Sequence, residues 1–144
     1  MQTAISSFSA CVLLFAFAVY DSAAGDLKKN IKPTQRWGGV IGIQAKQSAA
    51  PKDGIVSTQE AFEKLWADWD LKGEAPKLDF AKQIVFVQIA SGPNNISTGY
   101  TLNPNTGDLT ALSRQTLKAG EGFGYGIDVL SRDGVKSYMG KAIK

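Results

Sequence analysis

Residues 84–90 read IVFVQIA. Successive side chains of a strand point to opposite faces of a sheet. Ile84 and Phe86 fall on one face, and Val85, Val87 and Ile89 on the other. A strand that is apolar on both faces needs cover on both, so this segment is expected to be a central, well-buried strand.

Upstream, residues 57–69 place Phe62, Leu65, Trp66 and Trp69 at i, i+3, i+4 and i+7, which is one apolar stripe of a helix. Ser57 as the cap, with Glu60 three residues on, fits a capping box. Trp66 and Trp69 share the stripe with Phe62 and Leu65, so they are expected to bury the helix against a sheet and not to form an exposed aromatic platform. Residues 71–83 read as a loop, with Asp79 placed to cap the turn before the central strand.

Downstream, 97–103 reads as a strand, PNTG (104–107) as a turn and 108–117 as an antiparallel partner, with Leu109, Ala111 and Ser113 alternating against Thr110 and Leu112. Residues 118–124 are glycine-rich and read as a connector. Residues 125–131 form another strand, with Tyr125, Ile127 and Val129 on one face. A turn at Asp133-Gly134 leads to a short last strand. At the other end, 37–47 alternates as a first strand and 48–54 is a loop. The expected class is α+β: one main helix packed on a mostly antiparallel sheet of about five or six strands.

The first 24 residues stand apart. An apolar run from Phe8 to Tyr20 is followed by small residues, with Ser22 and Ala24 at the −3 and −1 positions before Gly25. This is the pattern of a secretory signal peptide. The alternative, an uncleaved membrane anchor, needs about 20 apolar residues, and this run is shorter. Residues 1–24 are therefore expected to be removed, 25–36 to be a flexible leader and 37–144 to be one α+β domain. The expected address is the periplasm or the outside of a bacterial cell, with no stable membrane span after cleavage.

Composition narrows the chemistry. The chain has 16 basic and 13 acidic residues, no His and a single Cys, Cys11, which lies in the signal stretch. Beyond that stretch no disulfide can form, so a domain of about 120 residues must stand on its apolar core. Nucleophile–base pairs built on His or Cys are excluded, as are His or thiolate metal sites. The basic residues are scattered and not striped with aromatics, which argues against a nucleic-acid partner. A carboxylate pair is the catalytic arrangement left open, drawn from Asp68, Asp70, Asp79, Asp108, Glu121, Asp128 and Asp133, and each reads more simply as a surface charge or turn cap. GEGFGYG (120–126) precedes a strand and lacks the Lys-Ser/Thr of a phosphate loop. No catalytic residue, cofactor or metal is expected.

Four segments, in order, carry a resemblance: QEAFEKLW (59–66), LDFAK (78–82), IVFVQIA (84–90) and STGYTL (97–102). Together they resemble the carboxy-terminal domain of the PrcB-type proteins, exported bacterial proteins known from a surface protease complex, over roughly residues 55–131. That resemblance implies an accessory or binding domain of the cell envelope and not a catalyst. Its partner would be another envelope or secreted protein, including a protease. NNISTGY (94–100) is also similar, through Asn95, Thr98, Gly99 and Tyr100, to the loop that chagasin-like inhibitors present to cysteine proteases, although the proline of that loop is missing here. The candidate binding residues are accordingly Asn95, Ser97, Thr98, Gly99 and Tyr100. The leading expectation is a non-catalytic interaction domain, and the alternative is a protease inhibitor presenting the 95–100 loop.

Overall fold

The computed structural model describes residues 27–143. The signal peptide expected over residues 1–24, and its expected cleavage site, lie outside the described residues. Nine strands and one α-helix follow in the order β1 (Lys29–Ile31), β2 (Gln35–Ile41), β3 (Ile55–Val56), α1 (Gln59–Asp68), β4 (Gln83–Ser91), β5 (Ile96–Leu102), β6 (Asp108–Gln115), β7 (Phe123–Ser131), β8 (Ser137–Tyr138) and β9 (Lys141–Ala142), with a 3-10 helix at Gln44–Ala49. The class is mainly β with one α-helix. The strands form two sheets, ordered β2-β7-β4-β3 and β1-β5-β6-β8-β9, and not the single sheet expected.

The two-faced apolarity of β4 explains the layering. β4 and β7 pair antiparallel in the middle of the first sheet. On one face Val85, Val87, Phe123, Ile127 and Val129 pack with Phe62, Leu65, Trp66 and Trp69 of the helical segment. On the other face Ile84, Phe86 and Leu130 pack with Tyr100, Leu102 and Leu109 of the second sheet. The order is helix, sheet, sheet. Each apolar stripe thus meets another, and a fully buried aliphatic or aromatic side chain contributes about 1.5 to 3 kcal/mol.

Three local expectations are corrected. The helix cap is Thr58, whose Oγ1 accepts from the Ala61 N–H at 3.2 Å, and not Ser57. The one-residue shift puts Glu60 too early for the reciprocal bond of a capping box. The strand expected over 37–47 ends at Ile41, and Gln44–Ala49 turns as a 3-10 helix under α1, where the Trp69 indole donates to the Lys46 carbonyl at 2.9 Å. The leader expected at 25–36 is partly strand: Ile31 pairs with Tyr100 and faces the inter-sheet core, and Gln35 and Arg36 already belong to β2. One isoleucine among lysines gives no periodic signal, yet backbone pairing to β5 suffices to order it. Asp79 does cap its turn, accepting from the Ala81 N–H at 3.1 Å.

The glycine-rich stretch is also more ordered than a connector, since β7 begins at Phe123. Gly124 and Gly126 lie on the face of β7 that meets the second sheet. There the backbone of Asn94 crosses so closely that a Cβ on Gly124 would sit 1.5 Å from the Asn94 carbonyl oxygen. Asn94 is 3% exposed. Its side-chain amide donates to the Ser91 and Lys118 carbonyls, and its side-chain oxygen accepts from the Thr116 hydroxyl and the Lys118 N–H. That one side chain ties the exit of β4 to the segment after β6.

Candidate interaction face

The candidate residues 95–100 form a strand and not a projecting loop: all but Asn95 lie in β5, between β6 on one side and, from Tyr100 onward, β1 on the other. Strand alternation then divides them. Thr98 and Tyr100 point inward, 5% and 2% exposed, while Ser97 and Gly99 point out. Asn95 is exposed just before the strand, its N–H donating to Thr116 Oγ1 at 3.1 Å. Thr98 and Tyr100 therefore cannot enter another protein's cleft, as an inhibitory loop would require.

The inward residues join a polar cluster between the sheets. Asp128, on β7, is 2% exposed. Arg36 Nε donates to one of its oxygens at 2.5 Å and Nη2 to the other at 3.0 Å. The Tyr100 hydroxyl donates to Asp128 at 2.9 Å and accepts from the Gln88 amide. Arg36 Nη2 also donates to the Thr98 carbonyl at 2.6 Å, on the stretch of β5 that β1 leaves uncovered. Hydrogen bonding to Asp128 holds the Arg36 guanidinium above its ordinary pKa, against the opposing effect of burial. The cluster joins β2, β4, β5 and β7 across both sheets. Sequence reading assigned Arg36 to a leader and Asp128 to the surface. The available signal was an aspartate inside the apolar run GIDVL, where only a partnered carboxylate is tolerated.

The cluster is structural in what it can do. Burial first, then the Asp128 charge and hydrogen bond, push the Tyr100 hydroxyl far above the usual phenol range. Burial raises Tyr125 and Tyr138 too. A phenol whose folded pKa is raised keeps its proton in the fold and loses it on unfolding near pH 10. Stability is thus unaffected by these groups below about pH 9 and falls as pH rises through 10. In an alkaline titration, phenolate absorbance from Tyr100 is expected to appear only together with loss of circular dichroism. A phenolate signal complete near pH 10, with the dichroism unchanged, would show that the hydroxyl is not held this way.

Four of the other candidate carboxylates are engaged separately. Asp68 pairs with Lys64, Asp70 with Lys46 and Asp79 with Lys82, and Asp108 accepts from Ser137 and Gly140. Among the described residues no three His, Cys, Asp or Glu side chains gather as a metal site. No helix among them is long and apolar enough to cross a membrane.

The outward residues make the surface of interest. Gly99 pairs with Leu112, Ser97 with Arg114 and Thr101 with Thr110 across β5 and β6. Leu112 is 67% exposed. A shallow, mainly apolar groove of about 510 Å³ runs over Ile31, Gly99, Thr101, Thr110 and Leu112. A Cβ added to Gly99 would meet nothing within 4 Å, and its backbone is not in the left-handed region, so the fold does not require glycine there. A larger groove of about 560 Å³ lies beside α1, but its polar groups satisfy one another: Lys77 pairs with Glu63, and the Trp66 indole donates to the Gly73 carbonyl.

No family model matches the chain, and neither the curated proteins nor the solved structures include a match to it.

Proposed function

We propose that this chain is a non-catalytic, exported interaction domain of the bacterial envelope, similar to the PrcB-type domain, that binds a protein partner through the outer face of β5 and β6. The observation that carries the reading is Gly99 beside Leu112. A mid-strand glycine costs about 0.5 to 1 kcal/mol, and here neither sterics nor backbone geometry asks for it. A glycine of that kind opens space for something to approach the backbone closely. It sits next to a large, exposed leucine, and both line the mainly apolar groove over β5 and β6. The address rests on the signal-peptide pattern of residues 1–24 and the envelope association on the order of the four resembling segments. Asp68, Asp70 and Asp79 are held in ion pairs, Asp108 in a turn contact and Asp128 in the buried cluster, which supports a binding role over a catalytic one.

The test compares affinity capture from an envelope extract with the wild-type chain and with Leu112→Asp. A specific protein recovered by the first and lost with the second is expected. The same set of proteins recovered by both would remove the reading.

A further inference from the structure

We infer that the partner docks by adding an extended, acidic segment as a new strand along the open edge of β6. This deepens the proposed interaction at the same face and rests on that reading. β6 is eight residues long, yet on the side away from β5 it pairs only through Asp108 and Leu109, with β8. The direction of its remaining backbone groups follows from the bonds at its ends. The Asp108 carbonyl accepts from Asn103 and the Thr116 N–H reaches Asn95, both on the β5 side, whereas the Leu109 carbonyl accepts from Met139 on the other side. Backbone direction alternates along a strand. Ala111, Ser113 and Gln115 therefore turn their N–H and C=O groups to the open edge. The Ala111 N–H has only the Met139 sulfur at 3.5 Å, a weak acceptor. Residues 112–115 are all exposed, and beyond Leu109 no strand pairs with β6 on the side away from β5. Unpaired ladder groups are satisfied most directly by another strand, the mode in which main-chain bonds give affinity and alternate side chains give specificity.

Charge identifies the occupant. Residues 110–118, TALSRQTLK, contain Arg114 and Lys118 and no carboxylate. None of the ion pairs found among the described residues uses a cation of this sheet; their cations are Arg36, Lys46, Lys64, Lys77 and Lys82. The one carboxylate on β6, Asp108, is committed to Ser137 and Gly140. A second copy paired along β6 would bring two Arg114 and two Lys118 to one joint with nothing to neutralise them. An acidic segment has no such cost. Leu112 and Arg114 lie two apart on the outer face, so a paired segment should carry an apolar residue two positions from a carboxylate, matching them across the ladder.

The probe is a library of random twelve-residue peptides selected on the full chain. Enriched peptides are expected to be net acidic, with an apolar residue two positions from Asp or Glu. A synthetic copy methylated on alternate backbone nitrogens is expected to bind at least tenfold more weakly, because methylation deletes the strand-pairing donors and keeps the charge. Ser113→Pro removes one edge N–H along with the Ser113 hydroxyl that bonds the Thr98 hydroxyl at 2.8 Å, so it is compared with Ser113→Ala, which removes the hydroxyl alone. The proline variant is expected to weaken binding similarly to methylation and the alanine variant to leave it unchanged, while unfolding of both stays cooperative. Enrichment of no peptides or of uncharged ones, or equal binding of the methylated copy, would overturn the inference and leave the edge charges as a guard against self-pairing. Binding that phosphatidylglycerol vesicles reproduce would overturn it in favour of a lipid surface, and dimerisation abolished by Ser113→Pro in favour of a second copy. In the capture experiment, a partner lost with Leu112→Asp but kept with Ser113→Pro overturns strand addition alone and leaves the interaction domain standing. No change with either variant removes both.

Discussion

Replacing Arg36 with alanine is expected to lower the unfolding free energy by about 3 kcal/mol. The guanidinium itself is 45% exposed, and an ion pair so screened by solvent contributes little on its own account. The large effect comes from what is left behind. Asp128 stays 2% exposed between two sheets with its counter-charge gone and only the Tyr100 hydroxyl as donor. The Thr98 carbonyl loses its donor as well, on the stretch of β5 that β1 does not cover. Arg36→Lys should restore only part of the loss, because an ammonium cannot hold both oxygens of Asp128 and the Thr98 carbonyl in one planar fork. Adding Asp128→Ala to Arg36→Ala should cost less than the sum of the two single changes, by about 0.5 to 3 kcal/mol, since the second change removes the stranded charge. Urea unfolding followed by tryptophan fluorescence measures the wild type and the four variants. Arg36→Ala within about 0.5 kcal/mol of wild type, the range of ordinary surface changes, would mean that the cluster does not hold the sheets together.

The second large effect separates two glycines that look alike in the sequence. Gly124→Ala is expected to cost more than about 4 kcal/mol or to prevent folding, beyond the usual range for overpacking. Its new Cβ would stand 1.5 Å from the Asn94 oxygen and 2.7 Å from the Asn94 carbonyl carbon, which are backbone atoms. Asn94 cannot retreat without breaking the bonds its side chain makes to Ser91, Thr116 and Lys118. Gly99→Ala has open space and ordinary backbone angles, and is expected to stabilise the chain by about 0.5 kcal/mol through a less flexible unfolded state. Thermal unfolding of the two variants side by side tests this. A Gly99→Ala protein as damaged as Gly124→Ala would contradict the placement of β5.

Much of the fold was legible because it is local. The stripe of Phe62, Leu65, Trp66 and Trp69, the apolar faces of β4 and the turn between β5 and β6 each announce themselves within a dozen residues. The alternation of Leu109 and Ala111 against Thr110 and Leu112 was legible too, and it divides β6 into the same inner and outer faces that the structure shows. The site was less legible. Asn95, Ser97, Thr98, Gly99 and Tyr100 are grouped by the resemblance of one continuous stretch to a binding loop, but a strand sends neighbours to opposite faces, so Thr98 and Tyr100 are core while Ser97 and Gly99 are surface. Leu112 and Arg114 belong with the outer pair only because β6 lies beside β5 in that register.

By itself, the sequence determined that this chain has one amphipathic helix, a doubly buried strand, no His or Cys chemistry beyond residue 24 and a signal-like start, all matters of composition and short-range periodicity. Only the tertiary structure decided that the strands divide between two sheets, that Arg36 and Asp128 meet 92 residues apart, and that β6 runs out past its neighbours with an open edge. Pairing between strands is set by backbone groups that every residue carries alike. Which strands pair, and which edge is left free, is therefore settled by how the apolar faces close on one another across the whole chain.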